Sequence, residues 1–382
     1  MAENEGGHRR RGGVGLILAA ALFGASLAIV LWSRPAAAES SVLFNDEHFH
    51  LTNYIQKGPT AKQYVAMMGD KIGRSALFGI PLQQTWAYEN SGDFAPTYYL
   101  ESDAPLYYYS FTDAVIATEY LSLTPQERAR LDPMITGFNP ADMYAVDHIR
   151  RVLATFPGVF EGIGEFSIHK EFVSAKVAGN KASLINPALD RIFDFAGEAG
   201  LLVILHCDID TPFDKGDREP IYLTQMRALI RRHPAATIIW AHTGLGRVVA
   251  PKGQQATTTP VRNKNHIEIL DELLEDSSLK NLYFDISWDE VAKYAISSPG
   301  TEKRIADLLN KYPSRFLFGT DVVAPQDQSA QLRVFHLWDP VFALLTPEAS
   351  LDIRKKNYER LFDAARIHVR AWEKKNLSNP SP

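Results

Sequence analysis

The chain has 382 residues but a single cysteine, Cys207, so no internal disulfide can form. That excludes a small secreted scaffold held by bridges. Basic charge is not in surplus either: 40 Lys and Arg stand against 45 Asp and Glu, for a formal net charge of −5. No block of like charges occurs beyond the N-terminus, and no nucleic-acid partner is expected. There is no internal repeat and no low-complexity tract, so a repeat array is excluded. What is abundant is apolar material, 46% hydrophobic, enough for one large barrel domain or two smaller domains.

The N-terminus differs in character. Arg9, Arg10 and Arg11 precede an apolar run from Val14 to Trp32, followed by the small residues Ala36, Ala37 and Ala38. This is the layout of an export signal. As a helix the run would span about 28 Å, close to a bilayer core. Two expectations stand together: a signal peptide over 1–38, cleaved to leave a periplasmic domain over 39–382, or an uncleaved membrane anchor. Either way the arginines stay inside and the domain is exported. Membrane contact is expected through that anchor alone.

From Val42 onward, short apolar segments alternate with amphipathic ones. Strands are expected over 42–48, 75–80, 133–138, 158–165, 201–206, 236–242, 280–286 and 315–320. Helices are expected over 60–71, 112–130, 140–155, 187–199, 218–233, 261–277, 300–311 and 347–365. Thr124-Pro125, Asn139-Pro140, Asn186-Pro187 and Thr346-Pro347 mark helix starts, and Gly200 a helix end. The alternation predicts an α/β fold, a (β/α)8 TIM barrel with extended βα loops. A doubly wound open sheet is the competing arrangement. Long segments follow several strands, at 81–111, 166–186, 243–260 and 321–346. The first is rich in aromatics from Trp86 to Phe111 and is expected to wall a substrate or to pack on the barrel rim.

Polar residues end five of these strands: Asp46-Glu47-His48-Phe49-His50, Glu165, His206, His242 and Asp321. Histidine nitrogens and carboxylate oxygens are the donors a zinc-like divalent ion takes. His48 and His50 are two apart, which in a strand places both on one face. Asp46 shares that face and is expected to orient a ligand from behind. Glu165 ends an apolar run, where an ionised carboxylate needs a metal or a counter-charge such as Lys170. His206 and Cys207 alternate, so Cys207 is expected to be a packed thiol. In an open sheet His48 and Asp321 would lie at opposite edges; a closed barrel makes their strands neighbours.

These residues resemble the amidohydrolase superfamily, in particular its amidohydrolase-related branch. The resemblance rests on Asp46-x-His48-x-His50, Gly164-Glu165, His206, Ala241-His242-x-Gly244, Gly319-Thr320-Asp321 and Asn357-x-x-Arg360-Leu361-Phe362, and covers about 42–365. It implies that His48, His50, His206 and Asp321 hold a first metal, and that Glu165 and His242 complete a second site or act on substrate. Glu165 stands where some relatives carry a metal-bridging lysine; a glutamate there resembles the branch that includes TatD-type deoxyribonucleases, and no carboxylated-lysine centre is expected, nor a nuclease substrate from this chain's charge.

The expected activity is metal-dependent hydrolysis of an ester, lactone, amide or phosphoester of a small molecule. One or two divalent ions, zinc foremost and manganese as a substitute, would lower the pKa of bound water. Asp321 would take its proton, His242 would polarise the substrate and Glu165 would bridge metals or serve as acid or base. The alternative expectation is a decarboxylase or hydratase, with an arginine such as Arg247 holding a carboxylate. A non-catalytic metal-binding barrel is the third reading. A homo-oligomer is compatible with all of these.

Overall fold

Among the residues that the computed structural model describes (41–52, 58–80, 111–170, 183–209, 219–246 and 265–377), ten strands form. They are β1 Phe44–Asp46, β2 Phe49–His50, β3 Ile72–Leu77, β4 Leu131–Ile135, β5 Gly162–His169, β6 Leu202–Cys207, β7 Thr237–Trp240, β8 Leu282–Asp285, β9 Phe316–Leu317 and β10 Val322–Val323. Eight of them pair in parallel in the order β1-β3-β4-β5-β6-β7-β8-β9, with helices between. The fold is the expected TIM barrel, and the open-sheet alternative falls away. Residues 1–40, the bulk of the aromatic segment 81–111, and Arg247 lie outside the described residues. Among the described residues no helix is long and apolar enough to cross a membrane.

The barrel closes by an unexpected route. The strand expected over 42–48 breaks after Asp46 and resumes as β2. Strand β2 pairs in parallel with β10, bringing Val322 opposite Phe49 and Val323 opposite His50. Around this pair, Glu47 N–H donates to Phe318 O at 3.1 Å and Asp321 N–H donates to His48 O at 2.7 Å. Gly319 allows the approach: a Cβ there would lie 2.7 Å from His48 Cβ and 2.8 Å from His48 N. The Phe318 N–H is taken at 3.0 Å by Ile353 O, which a π-helical turn, Asp352–Lys356, turns toward the strand.

The apolar side chains sort into two layers. Val203 and Leu205 face outward and pack under helices such as Pro187–Ala199. Leu202 and Ile204 face inward with Ala76, Met134, Ile239 and Leu317, and Tyr358, Leu361 and Phe362 of the C-terminal helix Asn357–Leu377 join them. Alternation then places His206 inward and Cys207 outward, where the thiol is fully buried and free, as expected.

Helix 187–199 matches its sequence signals at both ends: Asn186 caps it through Ala188 N–H, and Gly200 leaves it at φ 76°. The expected helix 112–130 is two helices, Thr112–Leu121 and Pro125–Arg128, because the Thr124–Glu127 capping box starts a second one. The expected loop 321–346 instead contains helices Ser329–Leu337 and Asp339–Phe342, and its Phe335 stacks on Phe44 at 5.0 Å.

Candidate metal centre

The six expected site residues converge at the C-terminal mouth of the barrel. His48 and His50 stand at the break and on β2, their ring centroids 5.2 Å apart. Glu165 is not at a strand end but in mid-strand, since β5 continues to His169. His242 and Asp321 follow β7 and β9 with left-handed backbones, φ 55° and 54°. For non-glycine residues that costs of order 1 kcal/mol or more each. The turns bring the two side chains together, His242 Nε2 lying 3.9 Å from Asp321 Oδ2.

Glu165 is the hub. One oxygen bonds His206 Nδ1 and lies 3.5 Å from His242 Nε2. The other lies 3.5 Å from His50 Nε2 and 3.8 Å from His48 Nε2. Asp321 faces it across the site, 3.2 Å from His50 Nε2, 3.5 Å from His48 Nε2 and 3.9 Å from His242 Nε2. Among these six residues, three groups have donor atoms within 4.8 Å of one another: His48, His50 and Glu165; His48, His242 and Asp321; Glu165, His206 and His242. His206 therefore sits with Glu165 and His242, not with the His48, His50 and Asp321 set that the resemblance implied. Its other nitrogen lies 3.0 Å from Asp208 Oδ1.

The electrostatics follow from burial and mutual attraction. Burial pushes the Glu165 carboxyl up, but the His206 charge, the His206 hydrogen bond and the imidazoles of His242 and His48 close by outweigh it and hold it well below the usual range. Burial likewise opposes ionisation of Asp321, yet the His242 charge and the His50 hydrogen bond keep its pKa low. Burial lowers the pKa of both His50 and His242. It also works against a charged His48, but Asp285, Glu165 and Asp321 around the ring raise its pKa well above the ordinary value, a pull that a bound cation would satisfy in place of the Nε2 proton.

The arrangement fits a divalent cation. His48 Nε2, His50 Nδ1 and His242 Nε2 are buried with no hydrogen-bond partner. Leaving such atoms unpaired is costly unless a ligand takes the lone pair. Two of them, the Nε2 atoms of His48 and His242, face the ionised carboxylates of Glu165 and Asp321.

Several contributors escaped the sequence reading. Asp285, at the end of β8, lies with Oδ2 3.1 Å from His48 Nδ1, and Ser287 Oγ lies 2.7 Å from His242 Nδ1. The only hint was a polar residue ending an apolar run, as in the five clusters of the sequence. Glu47 is fully buried, and burial together with the Asp285 charge drives its pKa well up. Asp46 does not touch an imidazole: its oxygens accept from the N–H groups of His48 and Thr320, the Thr320 hydroxyl and Gln331 Nε2. It supports the ligands through their backbone.

Fold and site together mark the chain as a TIM barrel with a cluster of candidate metal ligands at its mouth. A family model described as "Amidohydrolase" matches residues 46–364, and the chain belongs to that family. No protein of curated function matches it by sequence. Its fold is similar to that of an amidohydrolase from Burkholderia multivorans with bound zinc (14% identity, covering 84% of this chain and 99% of that one, TM-score 0.50). Other similar structures include dihydroorotase from Campylobacter jejuni (12%, 84% and 83%, 0.46) and 4-oxalomesaconate hydratase from Rhodopseudomonas palustris (14%, 88% and 100%, 0.45). The family is metal-dependent, and the His, Glu and Asp groups of this site are its candidate ligands.

Proposed function

We propose that this protein is a metal-dependent hydrolase of a small molecule, cleaving an ester, lactone, amide or phosphoester. The observation that carries the reading is the meeting of His48, His50, His206, His242, Glu165 and Asp321 at one mouth, with buried Nε2 atoms of His48 and His242 unpartnered. A bound divalent ion, zinc foremost and manganese as a substitute, supplies Lewis acidity that brings the pKa of water toward neutrality. His48, His50, His206 and His242 would hold one or two such ions with Glu165 and Asp321. Asp321, kept ionised by the imidazoles around it, would be the proton acceptor for the attacking water. Glu165, within 3.8 Å of the imidazoles of His48, His50, His206 and His242, would be a shared ligand of such ions or would return the proton to the leaving group.

A one-ion decarboxylase or hydratase is the second reading. Lys170 favours it: its ammonium lies 5.3 Å from the Trp288 ring centroid, and that ring is 5.2 Å from the His242 ring. A cation there suits a substrate carboxylate. Metals per chain by elemental analysis, followed by a substrate panel scored for hydrolysis and for CO2 release, separates the two. Uptake of no zinc or manganese would remove both. The site is proposed to work outside the cytoplasm, from the signal-like or anchor-like segment 1–38; cell fractionation of the full chain tests that.

A further inference from the structure

Behind the six ligands lies a second set of contacts that none of the roles above uses. Asp285 Oδ1 accepts the backbone N–H of His242 at 2.8 Å and that of Ser287 at 3.0 Å, and also bonds the Ser287 hydroxyl. Asp285 Oδ2 lies 3.1 Å from His48 Nδ1. Ser287 Oγ lies 2.7 Å from His242 Nδ1. All four residues are fully buried.

The proton positions follow from counting donors. An oxygen that takes two backbone N–H groups is an acceptor, so the Ser287 hydroxyl donates to it. That hydroxyl has one proton, now used, so toward His242 it accepts, and His242 Nδ1 carries the hydrogen. The other carboxylate oxygen accepts in the same way from His48 Nδ1. We infer that Asp285 is a positioning residue that sets the tautomer of two metal ligands at once, His48 directly and His242 through Ser287, so that both Nε2 lone pairs face the metal. This rests on the metal-site reading above and removes the substrate-polarising role that the sequence led one to expect of His242. A neutral His242 of this tautomer has no Nε2–H with which to polarise a substrate oxygen; it is a ligand. Histidine ligands commonly donate their second nitrogen to a carboxylate or carbonyl; here one carboxylate serves two of them, from β8, between the elements that bear them.

The test uses the full chain with 15N-labelled histidine and zinc as the probe. In the zinc-loaded protein, His48 and His242 should each show an exchange-protected ring N–H assigned to Nδ1. Ser287→Ala should lose that protection for His242 only, and Ser287→Thr, which keeps a hydroxyl, should restore it. Asp285→Asn keeps its oxygen on the crowded Oδ1 side and turns its NH2 toward His48. It should lose the His48 signal and weaken zinc binding by roughly 10- to 100-fold. Ring protons on Nε2, or zinc affinity within twofold of wild type in Asp285→Asn, would overturn the assignment. So would the loss of one whole zinc per chain in Asp285→Asn, which would make Asp285 a ligand alongside Glu47 and His48, with which its donor atoms also group. If Asp285→Asn does not fold, the Ser287 pair carries the test. If the wild-type chain takes up no zinc, the functional reading fails, while the His242 tautomer is still read in the zinc-free protein.

Discussion

Asp46 accepts the Thr320 N–H at 2.8 Å and the Thr320 hydroxyl at 2.7 Å, which ties the first strand of the barrel to the turn that carries Asp321. Gln331 adds a third donor at 2.9 Å from helix 329–337. Asp46→Ala removes the acceptor for these bonds and leaves buried donors unpaired. A loss of about 3 kcal/mol is expected, at about 1 kcal/mol per bond. Metal affinity should fall with it, because Asp321 loses its backbone support. Denaturant unfolding and zinc titration of the same variant check both; a stability change with unaltered zinc affinity would confine Asp46 to barrel closure.

The double variant His48→Ala/His50→Ala removes two of the four imidazoles but no part of the sheet core. It should keep its far-UV dichroism, lose its metal and lose activity by more than the roughly 10- to 100-fold typical of a supporting residue. Full metal content in that variant would show the ligands to be elsewhere.

Glu165→Gln keeps the shape of the hub and removes its charge. Metal stoichiometry or turnover should drop. Equal values of both in variant and parent would reduce Glu165 to packing against His206.

His266 offers a pH prediction away from the ligands. Burial holds its pKa at about 4 against an ordinary 6.5, and its Nε2 lies 3.0 Å from Thr243 Oγ1. A depressed histidine pKa means that the unfolded chain binds the proton first. Stability from the neutral ring is whole above pH 6.5 and drains away as pH falls toward 4, by about 3 kcal/mol at 1.36 kcal/mol per unit. His266→Phe keeps a ring beside Tyr294 but cannot take up the proton. Its stability relative to the parent should therefore rise as the pH is lowered through this window. A pH-independent difference in unfolding free energy would contradict the assignment.

At the opposite end of the barrel, buried Asp132 accepts from Arg74 and Arg366, and Arg366 also bonds Glu161. Arg366→Ala breaks one arm of this network. A partly exposed arginine beside a buried acid that keeps a second partner argues for about 2 kcal/mol, below the 3–5 kcal/mol of a fully orphaned charge. Thermal unfolding should show the loss while zinc affinity stays as it was.

The eight parallel strands, the barrel class and all six candidate ligands were legible in the sequence. Each strand carries its own local signal, an apolar run bounded by turn residues, and each candidate ligand ends or interrupts such a run. Caps such as Asn186 and Thr124 are equally local. Tertiary structure decided what depends on residues distant in the chain. Asp285 and Ser287 lie some 240 positions from His48, and nothing near them in sequence says which imidazoles they face. The break after Asp46 and the β2–β10 pairing depend on Gly319 and Thr320 arriving from the far end of the chain. The place of His206, against Glu165 and not beside His50, was likewise set by how neighbouring strands stagger. Periodicity reports which way a side chain points; only the closed barrel decides what it meets there.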